Sequence, residues 1–101
     1  MTAETPEQCA DMCQVRAQID RLDRELVALL AVRSRYIDRA AEIKKQAGLP
    51  ADIGWRVEEV AMNARRNAEA DGFDADLAER LWRQLIAWSI DRENEVLESA
   101  D

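Results

Sequence analysis

The chain has 101 residues, enough for one domain and too few for two at the usual size of about 100 to 150 residues per domain. Its 14 basic and 21 acidic residues leave a formal charge of -7, which argues against a nucleic-acid partner, since phosphate neutralisation needs a net basic face. The absence of histidine removes the commonest general base, the histidine-activated nucleophiles and most zinc sites, so no metal is expected.

Leu, Ala, Glu, Asp and Arg dominate, with 3 Gly, 2 Pro and 5% aromatic residues. That balance favours helix throughout and predicts an all-α chain forming a single domain over residues 1–101. The opening MTAETPEQ lacks the basic then apolar pattern of a signal peptide, and the longest apolar run, LVALLAV, is far below the roughly 20 residues of a membrane span. A cytoplasmic protein with no membrane partner is expected.

Thr5-Pro6-Glu7-Gln8 places a capping threonine before a proline, with glutamine three residues after the cap, so a short helix is expected to begin here and lead into a long one. Cys9 and Cys13 lie four apart, a spacing open to a metal or redox pair, but small buried apolar residues are the better reading of free cysteines. The apolar positions then run Met12, Val15, Ile19, Leu22, Leu26 and Leu29, continued by Arg33, Tyr36, Ala40 and Ile43. Alternating steps of three and four make a seven-residue seam along a helix that should stop near residue 47, before Gly48 and Pro50.

After a loop of about six residues, AGLPADIGW predicts a second helix starting around Trp55 and carrying Trp55, Val60, Ala61 and Ala64 as its apolar positions. It should end at Gly72, which suits the left-handed position after a helix, with Asp74 capping a third helix from about Ala75 to Leu97. That helix packs Ala78, Trp82, Leu85 and Ile86 at core spacing, with Leu77, Leu81 and Trp88 widening the face. Ser89 and Glu93 fall on its stripe where apolar side chains are expected; the two readings are a functional pair or a solvent-facing helix end.

The long helix sets the assembly. About 31 residues from Val15 to Lys45 span about 46 Å, beyond the roughly 26 Å diameter of a compact domain of this length. One chain cannot cover that seam, and a homodimer in which two long helices pack together is the economical solution. Arg33 shares the slot of Ile19, Leu26 and Ala40, where an unpaired guanidinium would be costly, so it needs an anionic partner. Lys44 lies eleven residues on, about 20° around the helix and about 16 Å along it.

Arg16 lies about 42 Å from Lys44 along one helix, but 16 and 44 are equidistant from 30. Two long helices crossing antiparallel about a two-fold near Leu30 would bring Arg16 of one subunit beside Lys44 of the other, making a composite cationic pocket for a small anion. The plainer account is structural: Arg33 pairing with Asp20, Asp23 or Glu25 across a dimer, and Lys44 complementing the helix macrodipole.

Taken together, VRAQIDRLDRELVALLAVR, Lys44, the arginine of GWRVEEV and LIAWSIDRE resemble the all-helical chorismate mutase family over nearly the whole chain from Val15 to Leu97. The spacings of seventeen from Arg16 to Arg33, eleven to Lys44 and twelve to Arg56 match that family. The resemblance implies an intertwined helical homodimer that converts chorismate to prephenate by a Claisen rearrangement, in aromatic amino acid biosynthesis, without a cofactor. It implies that Arg33 of one chain and Arg16 of the other grip the two carboxylates of a dianionic substrate. Lys44 would donate to its ether oxygen, Ser89 contact a carboxylate, Arg56 support the anion site and Asp52 accept from the ring hydroxyl. A pericyclic reaction requires no proton transfer, which fits the absence of histidine.

Three departures from the family pattern stand out. Asp52 precedes Arg56 by four residues, where the family's aspartate normally precedes its arginine by three. Glu93 stands where many bacterial members have glutamine, and an ionised carboxylate there repels the charge developing on the ether oxygen. Helping would require its protonated form, so activity is expected to be better under acid conditions and Glu93→Gln to extend it to higher pH. Val57 follows Arg56 where typical mutases carry glutamate. In this, and in the PEQC lead-in, the chain resembles the related isochorismate pyruvate lyases, which form salicylate and pyruvate in the same fold. The mutase reading comes first, the lyase is the alternative, and a catalytically silent helical dimer binding a partner protein is the reading from another class.

Overall fold

The computed structural model describes residues 5–99. It is helical with no strand among them: a 3-10 turn over Pro6–Gln8, then α1 (Met12–Ala47), α2 (Gly54–Asp71) and α3 (Ala75–Leu97). The all-α expectation is met. Gln8 Oε1 accepts from the Thr5 N–H at 2.9 Å, as the capping motif foretold, but the expected short helix is one 3-10 turn. Cys9 leaves it with extended backbone, and Asp11 then caps α1, its Oδ1 accepting from the Gln14 N–H at 2.9 Å.

The chain divides into two compact units, Met1–Arg35 and Tyr36–Asp101. In the first, the seam forms as read, but none of its described residues is buried: Met12, Ile19, Leu22, Leu26 and Leu29 all stand exposed. Cys9 is half-buried and Cys13 exposed, so Cys13 is not the core residue expected.

In the second unit, the end of α1, α2 and α3 pack together around small side chains. Ala41, Ala51, Ala61, Ala64, Ala68, Ala78 and Ile86 form the buried apolar set. Ala61, Ala64 and Ala68 follow one another by steps of three and four, one face of α2, and their size lets the helices approach closely. Trp55, read with the apolar positions of α2, is 71% exposed at the helix's first turn.

Ion pairs set helix directions. Arg83 bridges to Glu58 at 3.0 Å and Glu79 at 2.8 Å, while Arg65 reaches Asp76 at 2.8 Å and Glu79 at 3.0 Å. Residues rise along α2 as their partners fall along α3, so the two run antiparallel. Asp38 pairs with Arg92 at 2.8 Å and Lys45 Nζ donates to the Ser99 carbonyl at 2.9 Å; both sides advance by seven, so α1 and α3 run parallel here. The arginines hold their partners below the ordinary carboxylate range: Asp38 through its hydrogen bond to Arg92, and Glu58 and Glu79 through hydrogen bonds to Arg83.

The ends follow their local chemistry. Gly48 takes φ 71 and the Leu49 N–H returns to the Lys44 carbonyl at 2.9 Å, closing α1. Gly72, at φ 72, closes α2, and Asp74 caps α3, its Oδ1 accepting from the Leu77 N–H at 2.9 Å. These three boundaries fall where glycine and aspartate placed them.

Candidate active site

Lys44 and Glu93 meet in the second unit. The Lys44 ammonium lies 3.0 Å from Glu93 Oε1 and 3.2 Å from Oε2, and donates to the Ala51 carbonyl at 3.0 Å. Glu93 is 4% exposed. Its burial follows from its place on α3: Ile86, Ser89 and Glu93 advance by three and four, and all three are buried, so this face turns inward to its end. The solvent-facing account of Ser89 and Glu93 is therefore wrong. A carboxylate so placed is tolerable because an ammonium faces it, and a hydrogen bond satisfies more of that ammonium.

Ser89 lies one turn before Glu93, and its hydroxyl donates back to the Leu85 carbonyl at 2.8 Å. To donate to a carboxylate it must turn away from its own helix. Arg56 is exposed in the first turn of α2 and pairs with Glu59 at 2.5 Å, a surface pair that a bound anion can displace at small cost. Asp52 is exposed and Val57 half-buried. Arg16 and Arg33 belong to the first unit, where Arg16 is exposed and Arg33 half-buried. The structure thus joins Lys44 directly to Glu93, sets Ser89 on the same face of α3, and leaves Arg56 on the surface.

One participant escaped the sequence. The Ala51 carbonyl is a main-chain group, and its residue type carries no sign of it; only the glycine and proline before it hinted that this loop had a fixed shape. Among the described residues, no group of three or more His, Cys, Asp or Glu could hold a metal ion, and no helix is long and apolar enough to cross a membrane.

A cation tied to a buried carboxylate, with a hydroxyl one turn away, is suited to holding and polarising a small oxygen-rich anion. Residues 15–94 match the family model of chorismate mutase type II. The chain belongs to the chorismate mutase type II family. All seven candidate residues, Arg16 to Glu93, lie inside the matched span.

Relatives of this chorismate mutase type II chain differ in name and length. It is 36% identical over 88 residues to an isochorismate pyruvate lyase of Pseudomonas aeruginosa, covering 86% of this chain and 85% of the relative. A T-protein of Haemophilus influenzae is 39% identical over 83 residues, but the chain spans only 22% of it. A chorismate mutase of Methanocaldococcus jannaschii is 25% identical over 75 residues, covering 74% of this chain and 76% of that one.

Proposed function

We propose that this protein is a chorismate mutase, an isomerase that converts the dianion chorismate to prephenate without a cofactor. The observation that carries the reading is the pairing of the half-buried Lys44 with the buried Glu93 in a chain of this family. As the ether carbon–oxygen bond stretches, negative charge gathers on the oxygen, and a fixed ammonium there stabilises the transition state more than the ground state. Lys44 is that donor. Arg33 and the partner chain's copy of Arg16 hold the two carboxylates and keep the substrate in its compact reactive conformer. Ser89 and Arg56 complete the anion site, Asp52 accepts from the ring hydroxyl, and Glu93 lies beside Lys44 at the ether oxygen.

This arrangement requires a homodimer. Its support is the stripe of Met12, Ile19, Leu22, Leu26 and Leu29, exposed in the single chain, since a contiguous apolar surface of this kind marks an interface. The protein works in the cytoplasm.

The test is loss of chorismate ultraviolet absorbance on incubation with the purified protein, with Arg33→Ala as control. Turnover abolished by Arg33→Ala supports the reading; turnover indifferent to that change overturns the role of Arg33, and no turnover overturns the reading and favours a catalytically silent dimer. A second reading, isochorismate pyruvate lyase, is favoured by Val57 and by the likeness to a lyase over most of both chains. Fluorescent salicylate formed from isochorismate faster than chorismate is consumed would decide for it, and aminodeoxychorismate completes the substrate panel. Sedimentation of a stable, fully active monomer would overturn the shared pocket.

A further inference from the structure

The loop between α1 and α2 touches the reactive cation through its main chain. An ammonium has three N–H bonds in tetrahedral array. The Ala51 carbonyl takes one at 3.0 Å, and the Glu93 carboxylate takes another, with its two oxygens at 3.0 and 3.2 Å. The third is left to meet a substrate oxygen. Lysine's four-carbon stem is flexible, so with Glu93 alone as partner the ammonium would follow the carboxylate, swinging the third N–H with it. A second acceptor from another segment fixes its direction.

That acceptor is built to stay still. Lys44 anchors the loop at both of its own ends: its carbonyl accepts from the Leu49 N–H at 2.9 Å, and its side chain reaches Ala51 seven residues on. Gly48, at φ 71, makes the reversal, and the ring of Pro50 restricts the next step. Ala51 is buried, at 5% exposure. Ile53 closes the loop with extended backbone, its carbonyl accepting from the Arg56 and Val57 N–H groups at 2.9 and 3.1 Å. No other residue of the loop is buried.

We propose that Ala51 is a positioning residue: its buried methyl locks the loop so that its carbonyl aims the Lys44 ammonium at the substrate, holding the cation off full surrender to Glu93. The inference rests on the reading of Lys44 as the donor to the reacting oxygen. Such an interaction matters chiefly in the transition state, so its loss lowers kcat and leaves KM nearly unchanged.

Two variants test it. Ala51→Leu forces a larger side chain into the buried position and moves the carbonyl. A semisynthetic chain with an ester in place of the 51–52 amide, keeping the Asp52 side chain, weakens the same acceptor without adding bulk. The expected result in both is a kcat about tenfold lower, the scale of one hydrogen bond to a charged group, with KM within about twofold. In the free protein, proton exchange from the Lys44 ammonium, followed by nitrogen-15 NMR, should quicken. An ester chain with unchanged kcat and unchanged ammonium exchange overturns the proposal, even if Ala51→Leu fails to fold. Lys44→Met, assayed beside them with chorismate and isochorismate, separates the two levels. If it is inactive while the ester chain is normal, only the role of Ala51 falls; if it turns over substrate normally, the reading of Lys44 itself falls.

Discussion

Replacing Glu93 by glutamine should make the enzyme faster at neutral pH, an unusual outcome for a change at a buried site residue. The Lys44 ammonium lies 3.0 Å from the Glu93 carboxylate, a separation at which opposite charges attract by roughly 5 kcal/mol at an effective dielectric near 20. Desolvation of a group only 4% exposed offsets much of that. What remains is the scale of a hydrogen bond to a charged partner, about 1.5 to 3 kcal/mol. On the proposed reading of Lys44, the Glu93 carboxylate draws that much of its field away from the reacting oxygen and opposes the charge gathering there. Glutamine keeps the shape, can still accept from Lys44 through its oxygen, and offers an N–H to the substrate. At about 1.4 kcal/mol per decade, Glu93→Gln should raise kcat about ten- to hundredfold near pH 8. The assay is loss of chorismate absorbance at saturating substrate across the pH range, repeated with isochorismate. If the variant shows the parent's pH profile and rate, or is slower everywhere, the assignment of Glu93 is refuted.

Three further outcomes follow from the fold. Asp38, Glu58 and Glu79 are held below their ordinary range by arginines, so the folded chain binds fewer protons than the unfolded one. The stability from these pairs is complete above the unfolded values and is lost as pH falls through about 4.5 toward the folded values. Thermal melts should therefore show a flat melting temperature near neutrality and a decline in acid that shrinks in high salt, these groups being at least partly open to solvent. Gly72→Ala should cost about 1 to 2 kcal/mol and lower the melting temperature by several degrees, because φ is 72 there while a Cβ would meet nothing within 4 Å; an unchanged melt would refute the strain. Leu26→Glu, which puts a charge in the middle of the exposed stripe, should yield a monomer by ultracentrifugation, and a persistent dimer would place the interface elsewhere.

Most element boundaries were legible because they are written in residue types with one physical use. Gly48, Gly72 and Asp74 end or begin helices for reasons of φ and hydrogen bonding that no packing needed to supply. The break before α1 has its own capping pattern in Asp11, three residues before Gln14, but the cap at Thr5 offers the same chemistry a few residues earlier, and residue type alone does not rank the two. Ala61, Ala64, Ala78 and Ile86 are buried as their spacing predicts, whereas Trp55, Leu81 and Trp88 are exposed. Periodicity identifies a face but not how deeply it is covered, and in the second unit depth belongs to alanines, while Trp55 stays exposed. Lys44, Ser89 and Glu93 could be read as interruptions of apolar stripes, whereas the Ala51 carbonyl could not, since main-chain acceptors are the same at every residue.

Building a helical seam from alanine has a thermodynamic signature of its own. Alanine has no rotamers to lose on burial, so Ala61, Ala64, Ala68 and Ala78 order without that penalty, yet each hides little surface and contributes little hydrophobic stabilisation. Such a seam is cheap to form and shallow in depth. Enlarging any of these methyl groups would wedge α2 from α3 rather than improve the fit, so selection for greater stability has little room to act at this contact and must work elsewhere in the chain.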